Sequence, residues 1–257
     1  MSNRPDVGAD RGTVADLLNK RAELLTCLAD GPKPQRVLRD ELDRSRSTVY
    51  KAVTELEDHG LITEGADGYE LTGIGRLAWR RHDDYRGRLD RLVAAEQLLN
   101  AIPDATRVPL AVFEHGRVIV PGRHAPERPL DHLESLGEGT DTIRCFSPAG
   151  MPRYFAGIHD DVESGDRTAK LVIEDDGIDR VRSIYDDFEA AVSEPSFDVR
   201  IADGELPFAI VVFDEADLGL FVYDEGTLAG AVFCDDDAVL AWANRLFERE
   251  HERATPV

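Results

Sequence analysis

The chain has 257 residues, with 30 basic against 51 acidic side chains, a formal net charge of −21 and 42% apolar residues. That apolar content is too high for a disordered acidic chain and suffices for about two domains with real cores. No run of about 18 apolar residues occurs, so no membrane-spanning helix is expected, and the first residues lack the apolar segment that a secretory signal needs. Cys27, Cys145 and Cys234 stand far apart and outside any CxxC pair. This argues against a disulfide framework or a thiolate metal site and for a reducing, cytoplasmic setting.

In chain order, the first ten residues and the last five read as loose ends. Val14, Leu17, Leu18, Leu24, Leu25 and Leu28 recur at mostly helical spacing, which predicts one helix over 13–29. Asp30-Gly31-Pro32 stops it. Gln35 to Leu42 makes a short helix with Val37, Leu38 and Leu42 inward. Ser45 is the expected N-cap of a third helix running to His59, with Gly60 as its stop. Two short strands follow, over 61–64 and 68–72, joined through Gly65-Ala66-Asp67-Gly68.

Residues 75–102 read as a long helix whose apolar stripe includes Leu77, Tyr85, Leu89, Leu92, Val93 and Leu99. The stripe is longer than a connector requires, so a monomer would leave much of it exposed. Beyond Pro103, strand-like runs cover 110–113, 117–120, 142–146, 169–173, 198–201, 208–213, 218–223 and 228–233. Helical patterns cover 153–164, 178–192 and 237–252. This alternation predicts an α/β sandwich with a mixed sheet. The expected fold class is therefore α+β/α/β: a winged helix-turn-helix over 13–74, a linker and dimerisation helix over 75–102, and a regulatory domain over 103–253.

The charge is unevenly spread. Residues 1–100 hold 16 basic and 18 acidic side chains, whereas the remainder hold 14 and 33. Only Lys20, Lys33, Lys51 and Lys170 are lysine. Abundant carboxylates with scarce lysine resemble the surfaces of halophilic archaeal proteins, although an ordinary acidic protein fits as well.

The stretch from Gln35 to Leu71 carries the mechanism. Helix, tight turn at Asp43-Arg44, helix and hairpin make a winged helix-turn-helix, whose second helix lies in the major groove of DNA. Val49, Val53 and Leu56 share one face of that helix, while Arg46, Ser47, Tyr50, Lys51 and Thr54 fall largely on another. From Arg44 to Thr54 there are three basic residues and no acidic one. The expected DNA-contacting set is Arg44, Ser45, Arg46, Ser47, Thr48, Tyr50, Lys51 and Thr54, with Gly68 on the wing. Arg46 and Tyr50 are placed to reach base edges, Arg44 and Lys51 to hold phosphates. The alternative is a protein-interaction module in which the winged helix pairs with another protein.

Ser45-Arg46-Ser47-Thr48-Val49-Tyr50-Lys51-Ala52-Val53, followed by Leu56-Glu57-Asp58-His59-Gly60-Leu61-Ile62, resembles the winged helix of archaeal transcriptional regulators. The second half, through 206–214 and 238–247, is similar to the domain beside such winged helices in the filament and methanogenesis regulator family of haloarchaea and methanogens. The resemblance implies a transcriptional regulator binding double-stranded DNA, and the apolar stripe of 75–102 leads to the expectation that it is a homodimer. Its second domain would be phospholipase D-like in fold, non-catalytic, and able to take an effector.

Enzymatic chemistry has no visible site. A phospholipase D-type catalyst needs His-x-Lys, but the only lysine of the second half, Lys170, has Thr168 two residues before it. The histidines 115, 124, 132, 159 and 251 form no metal motif, and Asp235-Asp236-Asp237 reads as a helix cap. No cofactor is implied. Ligands of α/β sheets tend to sit beyond the carboxyl ends of strands. That directs attention to Ser147 and Met151 after one strand and to Asp214 after another, with Arg153 and Tyr154 able to meet an anionic or planar effector. Cys145 and Cys234 read as buried structural thiols.

Overall fold

The computed structural model describes residues 11–104 and 107–257, which form two compact units meeting within one helix, between Gly87 and Arg88. The expected loose N-terminal segment lies outside the described residues. The first unit begins with α1 (Arg11–Lys20) and α2 (Ala22–Ala29). The single helix expected over 13–29 is thus broken at Arg21, whose backbone leaves helical geometry (φ −114°, ψ 19°) while its guanidinium reaches Glu55. Next come α3 (Gln35–Leu42), α4 (Arg46–Asp58) and the hairpin β1 (Ile62–Gly65) and β2 (Gly68–Leu71). Leu25, Leu38, Val49, Leu56 and Ile62 pack together as the core of this unit.

Between α3 and α4 the chain turns through Asp43 in the left-handed region (φ 48°), and Ser45 Oγ accepts the Thr48 N–H at 3.2 Å. Gly60 (φ +67°) ends α4: the Leu61 N–H donates back to the Leu56 carbonyl across the left-handed turn. Lys33 pairs with Tyr69 through two backbone hydrogen bonds, adding a bridge beside the wing. Thr72 Oγ1 accepts from the Gly75 N–H, and Gly75 packs so close that a Cβ would stand 1.8 Å from the Leu61 carbonyl oxygen. Only glycine allows the helix that starts there, α5 (Gly73–Ala94), to leave the wing at this spot.

The expected continuous helix over 75–102 is two: α5, then α6 (Glu96–Ala101), with the break at Ala95. The division between units falls well before Pro103. Ala95, Leu98 and Ile102 are already in the second core.

The second unit continues with α7 (Leu110–His115), β3 (Arg117–Ile119), α8 (Arg128–Gly137), β4 (Thr142–Ser147), α9 (Pro152–Glu163), β5 (Thr168–Ile173), α10 (Asp175–Ile184) and α11 (Phe188–Ala191). It closes with β6 (Phe197–Ile201), β7 (Ala209–Phe213), β8 (Asp217–Asp224), β9 (Thr227–Cys234), α12 (Asp237–Arg253) and β10 (Thr255–Pro256). The sheet has eight strands in the order β10-β6-β5-β4-β7-β8-β9-β3, parallel through β4, β5 and β6 and antiparallel elsewhere. Helices α6, α7 and α12 cover one face, and α8 to α11 cover the other. This is the expected sandwich with a mixed sheet. Every residue of β7 is buried, as expected of a strand covered on both faces.

Three local expectations are corrected here. Residues 110–113, read as a strand, form α7: a four-residue apolar run carries no period, and Pro109 sets the chain into a helix that buries Val112 and Phe113. The helix expected over 178–192 splits at Tyr185, which turns extended (φ −102°, ψ 106°) and meets His159 through its hydroxyl at 2.7 Å. The last residues are not loose, because Thr255 and Pro256 pair with β6 and the Val257 N–H donates to the Val199 carbonyl. Among the described residues no helix is long and apolar enough to cross a membrane.

Candidate functional site

The outer face of α4 carries the first candidate site. Val49, Ala52, Val53 and Leu56 turn inward, which leaves Arg46, Ser47, Tyr50 and Lys51 exposed, Tyr50 at 62%. Ser45 caps the helix and also contacts the hydroxyls of Ser47 (3.0 Å) and Thr48 (2.8 Å), so the first turn is a cluster of hydroxyls. The first turn contains no carboxylate. Positive potential from free N–H groups at a helix N-terminus suits an anion.

Two acids near this face, Glu55 and Glu41, are engaged elsewhere. Glu55 takes Arg21 at 2.7 Å and Lys20 at 3.2 Å, and Glu41 takes Lys33 at 2.6 Å. The hydrogen bond from Arg21, and then that from Lys20, hold the Glu55 carboxyl below the usual range, and Lys33 does the same for Glu41. Arg44 is itself drawn to Glu23 at 3.3 Å, an exposed and weak pair. Two members of the expected set have internal roles. Thr54 Oγ1 donates to the Tyr50 carbonyl at 3.0 Å. Gly68 (φ +119°) faces inward, where a Cβ would stand 2.4 Å from the backbone of Lys33 and Pro34, so it shapes the wing instead of presenting a contact.

The second candidate is a cavity of about 470 Å³ in the second unit, between the sheet and helices α8 and α9. Four of the five expected effector residues, Ser147, Met151, Arg153 and Tyr154, line it together. Asp214 does not belong with them. Strand β7 runs antiparallel to β4, so Asp214 lies at the opposite end of β4 from Ser147. Its carboxylate accepts the N–H groups of Asp141 and Thr142 (3.0 and 2.7 Å) and closes the turn there. Burial acts to raise its pKa, but these backbone hydrogen bonds prevail and hold it low.

Sequence reasoning missed the cavity's roof, α8. Its signal was present in Pro129 at the first turn followed by Leu130, Leu133 and Leu136. It also missed the floor, because Ile143, Cys145 and Leu171 alternate like any half-buried strand. Cys145 is enclosed by protein, and burial pushes its thiol up to about 12, yet it retains surface because it faces the cavity.

The expected helix cap is in place: Asp236 Oδ1 accepts the N–H groups of Ala238 and Val239 at the start of α12. His251 is buried against Asp198 at 2.7 Å and His159 against Tyr185. Among the described residues, no three His, Cys, Asp or Glu side chains are grouped to hold a metal ion.

A winged helix-turn-helix joined through a helix to a three-layer α/β unit is the architecture of a two-domain winged-helix protein. Residues 12–93 match the sequence-family model described as the HVO_A0261 N-terminal domain, and residues 126–253 match that of methanogenesis regulatory protein FilR1, middle domain. The chain is 26% identical over 252 residues to methanogenesis regulatory protein FilR1 of Methanothrix harundinacea, covering 91% of this chain and 55% of that one. It thus spans about half the length of this curated relative. The chain belongs to the FilR1-like regulator family, with an N-terminal domain of the HVO_A0261 type.

Among solved structures, TrmBL2, described as an archaeal chromatin protein with a novel mode of DNA binding, is similar over 96% of this chain and 100% of its own, at 16% identity and a TM-score of 0.45. The phospholipase D family member Nuc of Salmonella typhimurium covers 56% of this chain and 99% of its own, at 11% identity and a TM-score of 0.42.

Proposed function

We propose that this chain is a sequence-specific DNA-binding transcriptional regulator that acts as a homodimer in the cytoplasm, its second unit reading a small-molecule effector. The carrying observation is the outer face of α4. Arg46, Tyr50 and Lys51 stand open to solvent on a helix of recognition type, while Lys20, Arg21 and Lys33 occupy Glu55 and Glu41. A protein of net charge −21 is repelled by DNA overall. Such a protein can still bind where exposed cations outnumber the unpaired acids, as on the N-terminal part of α4, which has no carboxylate in its first turn. The name of its relative, a methanogenesis regulatory protein, supports the same reading.

Helix α5 supports the twofold arrangement. Ile74, Leu77, Tyr85, Leu89 and Val93 are all exposed along it, with Val93 at 70%. Exposed apolar residues recurring on one helix mark an interaction surface. A dimer would meet two half-sites about 34 Å, or one helical turn, apart.

The test is a gel shift with the full chain on duplex DNA taken from upstream of its own coding sequence. A retarded complex that survives excess unrelated duplex is the expected result. Absence of any complex, with the protein folded, would overturn the DNA-binding reading in favour of a protein-interaction module.

A further inference from the structure

The walls of the cavity in the second unit are tied at two places. At one end the Arg167 guanidinium, 11% exposed, donates to the carbonyls of Gly137, the last residue of α8, and of Thr140 beyond it, and pairs with Asp161 of α9 at 2.7 Å. At the other end the loop after β4 is pinned where Gly150 crosses Gly177: a Cβ on Gly150 would stand 1.9 Å from the Gly177 carbonyl oxygen. These contacts fix α9 near both of its ends and α8 at its C-terminal end. The volume, about 470 Å³, lies in the range of small-molecule sites.

Its chemistry narrows the occupant. The floor is apolar, formed by Ile143, Cys145, Leu171, Val211 and Phe221 from four neighbouring strands. Arg167 is held as above, while Arg153, largely exposed, makes a surface pair with Glu134 at 3.2 Å. Glu134, Glu138 and Asp161 give the rim a negative balance. With three carboxylates against two arginines, a carboxylate or phosphate would meet net repulsion there. The lining also carries neutral hydroxyls, with Tyr154 beside Glu134 and Tyr223 beside Ser147. Tyr154 and Tyr223 both line the space, and burial keeps both phenols neutral to about 12. They can donate or accept one hydrogen bond each.

We propose that this cavity binds an uncharged, predominantly apolar small molecule bearing a hydroxyl or carbonyl group, seated on the β4–β8 floor with its polar end at Tyr154 or Tyr223. That the molecule acts as the effector rests on the regulator reading above; that it binds does not.

The experiment uses two dyes that brighten in apolar surroundings and share their rings: neutral N-phenyl-1-naphthylamine and anionic 1-anilinonaphthalene-8-sulfonate. Titrated against the full chain, the neutral dye should saturate at one per chain and bind at least tenfold more tightly than the sulfonate. Cys145→Trp, which fills the floor, should weaken it at least tenfold. Gly157→Trp should do the same from the mouth, where an added Cβ meets nothing within 4 Å. Failure to saturate, or undiminished binding in a folded Gly157→Trp protein, would overturn the proposal. Equal affinity for the sulfonate would overturn the uncharged class. DNA affinity measured with and without the neutral dye is a separate readout. Dye binding that leaves DNA affinity unchanged would support the site and count against its role as effector.

Discussion

The outer face of α4 and the mouth of the α8–α9 cavity use the same ingredients to opposite ends. Both hold arginines beside carboxylates. On the winged unit the pairs lie off the recognition face, where Arg21 and Lys20 hold Glu55 and Lys33 holds Glu41, so Arg46 and Lys51 remain open. At the cavity the pairs lie on the rim itself: Glu134 meets Arg153, Asp161 holds Arg167, and an acidic Glu138 and neutral hydroxyls complete the lining. Ligand class follows from which charges the fold leaves unpaired, more than from how many the sequence contains. A chain of −21 can thus offer one surface suited to a polyanion and one suited to an uncharged molecule.

The largest effect that would break this comparison removes the frame of the first surface. Leu56, fully buried beneath α4, should cost about 2–5 kcal/mol on truncation to alanine. Denaturant unfolding followed by circular dichroism should show the loss in the transition of the winged unit, with the transition of the second unit unmoved. Next in size is assembly. Leu77→Glu with Leu89→Glu places two charges on the exposed stripe of α5 and should halve the mass seen by light scattering. A folded variant that kept the dimer mass would remove α5 from the interface.

A smaller effect concerns the second unit alone. Burial acts to raise the pKa of Asp198, but hydrogen bonds from Arg200 and His251 outweigh it and hold the carboxyl below the ordinary range. A carboxylate depressed in the folded state stabilises it above the unfolded pKa of about 3.9, and the contribution is lost as pH falls through the folded value. Asp198→Asn should therefore destabilise the second unit at neutral pH by about 1–3 kcal/mol. The difference from wild type should shrink as the pH falls below about 4, which unfolding curves at several pH values would measure. The smallest effect sharpens the charge argument. Glu134→Gln frees Arg153 and should tighten binding of the sulfonate dye about threefold, roughly 0.6 kcal/mol, while the neutral dye is unmoved.

The winged helix was legible because its signals are local. Ser45 as cap, Gly60 as stop and the Val49-Val53-Leu56 spacing each act within a few residues, and the structure uses all three. The second unit was legible as a layered fold and less so as a site. The direction of β7 is decided by its pairing with β4, a long-range fact that places Asp214 far from Ser147 although both follow apolar strands. Short runs such as 110–113 have no period to read. The cavity's walls come from segments far apart in sequence, tied together by contacts such as Arg167 with the end of α8 and Gly150 with Gly177, and no single segment announces that. The inward turn of Gly68 escaped for a similar reason: a glycine in a hairpin reads as a turn residue, whereas here the backbone of Lys33 and Pro34 fills the place of its side chain.

The central claim is that the open cations of α4 read DNA. Fluorescence anisotropy with a labelled duplex from upstream of the coding sequence tests it most directly, comparing wild type with Arg46→Ala and Arg44→Ala at the same salt concentration. Arg46 has no ion-pair partner among the described residues, whereas Arg44 is shared with Glu23. Arg46→Ala should cost about 1–3 kcal/mol of affinity and relax sequence preference at one position, with the smaller loss in Arg44→Ala nearly uniform across sequences. A folded Arg46→Ala protein with wild-type affinity and wild-type sequence preference would contradict the claim.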